Sequence, residues 1–264
     1  MHPESNLSMV SITAVIITQD EERNIGRCLE SLKGVADEIV VVDSGSTDST
    51  EAICQSAGVR FVHHDWVGYS EQKNYANSIA TNPWLLSIDA DETLSPELRT
   101  SLLALKEKGF DSGTVYSVNR LNNYCGQWIR HCGWYPDSRV RLWHKDAASW
   151  DGLVHEELRY TTAVRLVKLN GDLLHYSFYS FDDYARRQVH YASLAAHKAH
   201  ESGKKVSPLG VWFRPGWTFF RNYILKGGFL DGHAGYVICR MSAFYTFMKY
   251  AGLRELNHLH ANVQ

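Results

Sequence analysis

A chain of 264 residues with 44% hydrophobic and 21% charged residues is neither disordered nor collagen-like, and it is long enough to bury a large core without metal or disulfide support. A net charge of -2 excludes the basic surplus of a general nucleic-acid binder, and five cysteines without close paired spacing favour a reducing, cytoplasmic compartment. The average hides an asymmetry: residues 176–264 carry +6 and 18 of the 32 aromatics, against -8 for residues 1–175, so a basic, aromatic tail follows an acidic body.

In chain order, the first ten residues are polar and lack the charged start and apolar core of a secretory signal. Residues 12–18 and 38–43 are short runs rich in Val and Ile, which predict strands buried on both faces. Between them Ile25, Leu29 and Leu32 recur at helical spacing. The turn cluster Ser44-Gly45-Ser46-Thr47-Asp48 comes next, with Asp48 and Glu51 placed as a helix N-cap and its capping partner. A helix to residue 57, a strand over 59–63, a helix over 71–80 and a strand over 84–89 continue the alternation. Repeated units of this length mean a parallel sheet covered by helices. From residue 111 the rhythm changes, and residues 114–121, 139–144, 164–169 and 173–177 read as strands without long helices between them. A helix over 181–202 stops at Gly203, and beyond Pro208 the chain is helical again, broken by Pro215 and several glycines. No uninterrupted apolar run reaches the roughly 20 residues that cross a bilayer.

The sharpest chemical signal is Ser87-Ile88-Asp89-Ala90-Asp91-Glu92. Extended backbone sends residues i and i+2 to the same side, so Asp89 and Asp91 converge. A hard divalent ion, Mg2+ or Mn2+, relieves their repulsion and in turn holds a diphosphate; a solvated acidic turn is the plainer alternative. Asp43 ends a strand where open parallel sheets bind ligands, and it is placed to accept hydrogen bonds from a nucleoside. No P-loop or three-glycine dinucleotide pattern accompanies it. Arg139 and Arg141 alternate on a strand, share a face, and suit a bidentate grip on acceptor phosphates. His155-Glu156-Glu157-Leu158-Arg159 lacks the second histidine of a zinc protease, and it offers His155, Glu156 and Glu157 as candidate bases for a hydroxyl proton. Cys125 and Cys132 have no second pair at zinc-finger spacing and read as packing or loop residues.

Taken in order, Thr18-Gln19-Asp20-Glu21-Glu22, the Asp43–Asp48 segment and Asp89-Ala90-Asp91-Glu92 resemble glycosyltransferase family 2. The likeness extends to Gly68-Tyr69-Ser70-Glu71-Gln72-Lys73-Asn74-Tyr75-Ala76, Trp150-Asp151-Gly152-Leu153-Val154-His155-Glu156-Glu157, His175-Tyr176-Ser177 and Lys226-Gly227-Gly228-Phe229-Leu230-Asp231-Gly232. With these segments it is closer still to the bacterial lipopolysaccharide core glucosyltransferases. The resemblance implies an α/β chain of GT-A type over residues 1–177: a mostly parallel nucleotide-sugar half (1–110) and a mixed-strand acceptor half (111–177). A helical, basic and aromatic subdomain over 178–264 follows. It further implies that Asp43 contacts uracil or ribose, Asp89 the ribose side and Asp91 the metal. Lys73 lies near the donor phosphates, Glu156 is the base, and His175 neighbours the site.

The function implied is metal-dependent, inverting transfer of a hexose, glucose foremost, from a UDP-sugar to a lipid-linked saccharide of the lipopolysaccharide core. A transferase acting on polyprenyl phosphate, or a non-catalytic module that binds a membrane surface, is the alternative. Trp217, Phe220 and Ile224 recur at helical spacing with Arg214 and Arg221 on another side, the pattern of an interfacial helix lying on the anionic inner face of the cytoplasmic membrane.

Overall fold

Strand β1 (Ile12–Thr18) feeds two cores at once. Ile12, Ala14 and Ile16 pack on one face, Val15 and Ile17 on the other. Burial on both faces is why the run 14–17 is continuously apolar instead of alternating. It pairs in parallel with β2 (Glu38–Asp43) and β4 (Trp84–Ser87), and β2 pairs in parallel with β3 (Arg60–His63). Helices α1 (Ile25–Leu32), α2 (Thr50–Ser56) and α4 (Pro96–Lys108) cover the first face through Leu29, Cys54 and Leu98, while α3 (Tyr69–Ile79) covers the second through Ala76.

Past β4 the pairing turns antiparallel. Strand β8 (Asp137–His144) lies between β4 and β6 (Thr114–Tyr124), and β5 (Glu92–Leu94) pairs with β11 (Arg165–Phe178). The order β3-β2-β1-β4-β8-β6-β11-β5 joins a parallel half to a mixed half, an α/β sheet of the class the resemblance implies. Strands β9 (Ala148–Asp151) and β10 (Glu157–Tyr160) form a separate antiparallel pair.

The structure, a computed structural model, describes residues 10–152 and 157–261. It divides into one unit of Met1–Arg120 with Asp137–His175, and a second of Leu121–Pro136 with Tyr176–Gln264. The second unit is therefore more than the tail, because residues 121–136 leave the mixed half to join it. There β7 (Gln127–Ile129) pairs with the end of β6, and α5 (Phe181–Glu201) and α6 (Pro208–Phe220) pack on the long α7 (Gly232–Ala261). Between α6 and α7 run a π turn (Arg221–Leu225) and a 3-10 turn (Gly228–Asp231).

The Lys226–Gly232 motif is explained here by packing. A Cβ on Gly228 would sit 2.7 Å from Cys239 Sγ, and one on Gly235 would meet Gly228 O at 1.9 Å. Buried Asp231 then accepts the His131 amide and Nδ1, both at 2.8 Å, which ties the β7 loop to this turn.

Two local expectations change. The strands over 164–169 and 173–177 are one, because Gly171 at φ 99 lets the chain pass α4 where a Cβ would lie 2.2 Å from Leu98 N. The capping pair of Asp48 and Glu51 is replaced by a tertiary one. Asp48 accepts the Thr50 amide, and Glu22 from the β1–α1 loop, not Glu51, accepts the Ser49 amide at 3.0 Å.

Candidate active site

The loops after β1 and β2 are stitched to each other. Asp20, at φ 52, accepts the Thr47 amide at 2.7 Å, and Asp48 accepts the Glu22 amide at 2.9 Å. Buried Asp43 turns its Oδ2 onto the amides of Gly45 (2.9 Å) and Ser46 (2.8 Å), closing a side-chain turn at the strand's carboxyl end. The acidic segments noticed in the sequence are thus the two halves of one hydrogen-bonded rim.

Helix α3 ties that rim to two other elements, and each polar residue of its motif has a separate task. Gln72 donates to Ser44 Oγ and to the His64 carbonyl, both at 2.9 Å. Asn74 accepts the Trp150 amide (2.9 Å) and donates to the Trp150 carbonyl (2.8 Å), while Ser70 donates to the Gly152 carbonyl at 2.7 Å. Lys73, buried, places its Nζ 3.3 Å from Asp89 Oδ1 and 4.7 Å from the centre of the Trp150 ring. Lys73 is thus a buried cation in the fold.

Strand β4 ends at Ser87 and the chain turns, the Glu92 amide donating to the Asp89 carbonyl. Alternation therefore stops short of the carboxylates, and Asp89 and Asp91 take different partners. Asp89 Oδ2 receives Arg141 Nη2 at 2.8 Å, and the same nitrogen donates to Glu92 Oε1 at 2.6 Å. Glu92 Oε2 accepts the Asp89 amide at 3.0 Å, so this fully buried acid fixes both the turn and the arginine. Asp91 Oδ2 instead lies 3.0 Å from His175 Nε2.

Burial opposes charge on Asp89, but Arg141 and then Lys73 outweigh it and hold its carboxyl well below the usual range. Burial pushes Glu92 up, with the neighbouring Asp89 carboxylate adding to the rise against the pull of Arg141. For Arg141 burial again works against the charge, and the two carboxylates more than restore it.

Above this cluster opens a cleft of about 300 Å³, lined by Lys73, Asp89, Arg120, Arg141, Trp150 and Glu157 among others. Arg139 also lines it, half exposed and bonded through Nε to Asp137 at 2.9 Å, and Arg120 holds the same Asp137. Arg139 and Arg141 therefore do not form a two-armed clamp, because Arg141 is committed to Asp89 and Glu92. Glu92 and Trp150 stood inside the quoted segments without a role of their own, and nothing local in the sequence marked Arg120. Glu156 lies outside the described residues. Its neighbour Glu157 opens β10 and faces the cleft.

As a metal site the arrangement supplies one carboxylate and one imidazole, Asp91 and His175. Among the described residues no group of three or more His, Cys, Asp or Glu could hold an ion unaided. The Asp91 oxygen suits Mn2+ or Mg2+ when a substrate diphosphate supplies further oxygen ligands, and the His175 nitrogen is the softer member of the pair.

The sequence profile of glycosyl transferase family 2 matches residues 13–169. An uncharacterized glycosyltransferase of Rickettsia typhi is 31% identical over 97% of this chain and 90% of its own. The lipopolysaccharide core biosynthesis glycosyltransferase LpsC of Rhizobium meliloti is 33% identical over 95% of this chain and 94% of its own. Among solved structures, S. aureus TarS in complex with UDP is similar over 97% of this chain and 92% of that one, at 15% identity and a TM-score of 0.47.

Proposed function

The chain belongs to glycosyl transferase family 2, and on that premise we propose that it transfers a hexose, glucose foremost, from a UDP-sugar to a lipid-linked saccharide of lipopolysaccharide core type, with inversion, in the cytoplasm. The acceptor class draws support from the Rhizobium relative, a lipopolysaccharide core biosynthesis glycosyltransferase. The observation that carries the reading is the charge-lined cleft, which gathers Lys73, Arg120, Arg139 and Arg141 around Asp89 beside the Trp150 ring. Among the described residues Arg141 Nε and Trp150 Nε1 are buried without a hydrogen-bond partner, and both residues line the cleft.

In this reading Asp43 accepts from the uracil or ribose and Asp89 faces the ribose side, held ionised by Arg141 and Lys73. Lys73, over the Trp150 ring, stabilises negative charge gathering on the departing diphosphate, and Arg139 and Arg120 contact the acceptor. Glu156 takes the proton from the acceptor hydroxyl. That oxygen bonds to the anomeric carbon, and the bond from that carbon to the UDP oxygen breaks with its electron pair leaving on the diphosphate. Asp91 and His175 would hold a divalent ion, whose positive charge would neutralise the diphosphate.

UDP release from a panel of UDP-sugars, with acceptor and with Mn2+ or a chelator, tests the activity. Release from no UDP-sugar under any of these conditions would remove the reading. Asp91→Ala tests the ion site: the mutant should melt like the parent and bind UDP without the strengthening that Mn2+ gives the parent. Calorimetric titration of UDP with and without Mn2+ reads this directly, and undiminished metal dependence in the mutant would dismiss Asp91 as a ligand.

A further inference from the structure

Helix α6 and the turns after it have two faces of opposite character. On the inner face Val211 is buried, Phe219 stacks on Tyr223 with ring centres 5.1 Å apart, and Thr218 accepts a hydrogen bond from Thr246 of α7 at 3.3 Å. On the outer face Leu209, Trp212, Phe213, Trp217, Phe220 and Ile224 follow one another at helical spacing, and all are exposed, Trp212 by 81% and Phe213 by 72%. The stripe runs on into the turns, where Leu225, Phe229 and Leu230 are exposed by 61%, 50% and 63%. The packed positions have thus been filled by other aromatics of the same segment, and the outer stripe is surplus to the core. Singly exposed apolar residues need no explanation, but nine within 22 positions, six of them on one helical stripe, mark a binding surface.

Charge identifies the occupant. From residue 202 to residue 230 the sequence has no Asp or Glu and five cations, Lys204, Lys205, Arg214, Arg221 and Lys226, all of them exposed. A second copy of this face would set cations against cations, which disfavours self-association. An anionic bilayer answers both features, taking the rings and aliphatic side chains at its headgroup boundary and the cations at its phosphates. No described helix is long and apolar enough to cross a membrane, so the contact is with one leaflet.

We propose that the outer face of α6 together with residues 224–230 is a docking surface for an anionic lipid leaflet. The surface stands on its own exposure and charge; its purpose, bringing the enzyme to a lipid-linked acceptor, rests on the glycosyltransferase reading.

The test is sedimentation of the full-length protein with vesicles of phosphatidylethanolamine and phosphatidylglycerol, against vesicles of phosphatidylcholine alone. The parent should pellet with the anionic vesicles and weaken as salt shortens the screening length from about 10 Å at 0.1 M to about 3 Å at 1 M. The double variant Trp212→Ser with Phe213→Ser should bind about tenfold more weakly. It should keep the parent's melting temperature and its UDP release from donor and a soluble acceptor, because neither side chain is in the core or the cleft. The milder Leu225→Ser with Leu230→Ser should shift binding in the same direction, and it replaces the first variant if that one misfolds.

Parent protein that stays in the supernatant with anionic vesicles at low salt, or that pellets equally with neutral ones, overturns the proposal. So does a salt-resistant dimer in analytical ultracentrifugation that the same variants dissociate, since the stripe would then be a protein interface. Vesicle binding without any transferase activity would leave the docking surface standing and remove the reading of the cleft.

Discussion

Glu156→Gln is expected to lower turnover by roughly 10²–10⁴-fold, the usual worth of a positioned general base, while UDP binding persists. Gln is nearly isosteric with Glu, so the change removes the proton acceptor and little else. An acceptor hydroxyl ionises far above neutral pH, and a carboxylate must take its proton as the oxygen bonds to the anomeric carbon. The control is Glu157→Gln, because Glu157 faces the cleft and was a candidate beside Glu156 in the sequence. Steady-state rates at saturating donor, with UDP affinity measured separately, distinguish the two. A Glu156→Gln enzyme working near the parent rate, with Glu157→Gln slow, would move the role by one residue. Loss of UDP binding in Glu156→Gln would show a donor-site defect in place of a missing base.

Arg141→Met should cost about 3–5 kcal/mol of folding stability at neutral pH, the usual penalty for removing one partner of a buried ion pair. Arg141 is buried and its one nitrogen serves two carboxylates, so the variant leaves Glu92 in the interior with no near cation except Arg120, 3.9 Å away. The pH dependence has a definite sign. In the parent the carboxyl of Asp89 is held below its unfolded value. Its contribution is therefore fully present above the unfolded pKa of about 3.9 and is lost as pH falls through the depressed folded value. In the variant Arg141's share of that depression is gone, with Lys73 left beside Asp89, and Glu92 resists ionisation more strongly, so acidification neutralises the uncompensated charge. The stability gap between parent and variant should narrow as pH drops from 7 toward 4.5, read from urea midpoints at each pH. Adding Glu92→Gln to Arg141→Met should recover part of the loss, a coupling that a double-mutant cycle measures. A gap that is equal at both pH values and unmoved by Glu92→Gln would mean that Arg141 acts by packing volume.

The sequence by itself determined the elements whose signal is local. The Val/Ile runs at 12–18 and 38–43 became strands with those bounds, because burial on both faces keeps their central residues, 14–17 and 39–42, apolar. The parallel half, the change of rhythm at residue 111 and the motifs of the family were legible for the same reason. Periodicity and short spacings are carried by neighbouring residues. Tertiary structure alone decided which charge meets which. Arg141 and Asp89 are 52 positions apart, and only the antiparallel register that sets Leu86 opposite Leu142 brings the arginine beside the end of β4. That same contact diverts Asp89 away from Asp91, leaving the latter to His175, which 84 positions of chain separate from it. The aromatic tail divides by the same logic. Helical spacing placed Trp217, Phe220 and Ile224 on one side, but α7 settled that Phe219 and Tyr223 face the core and the stripe faces outward. Local pattern tells which residues share a face; what that face meets depends on strand order and helix packing between residues far apart in the chain.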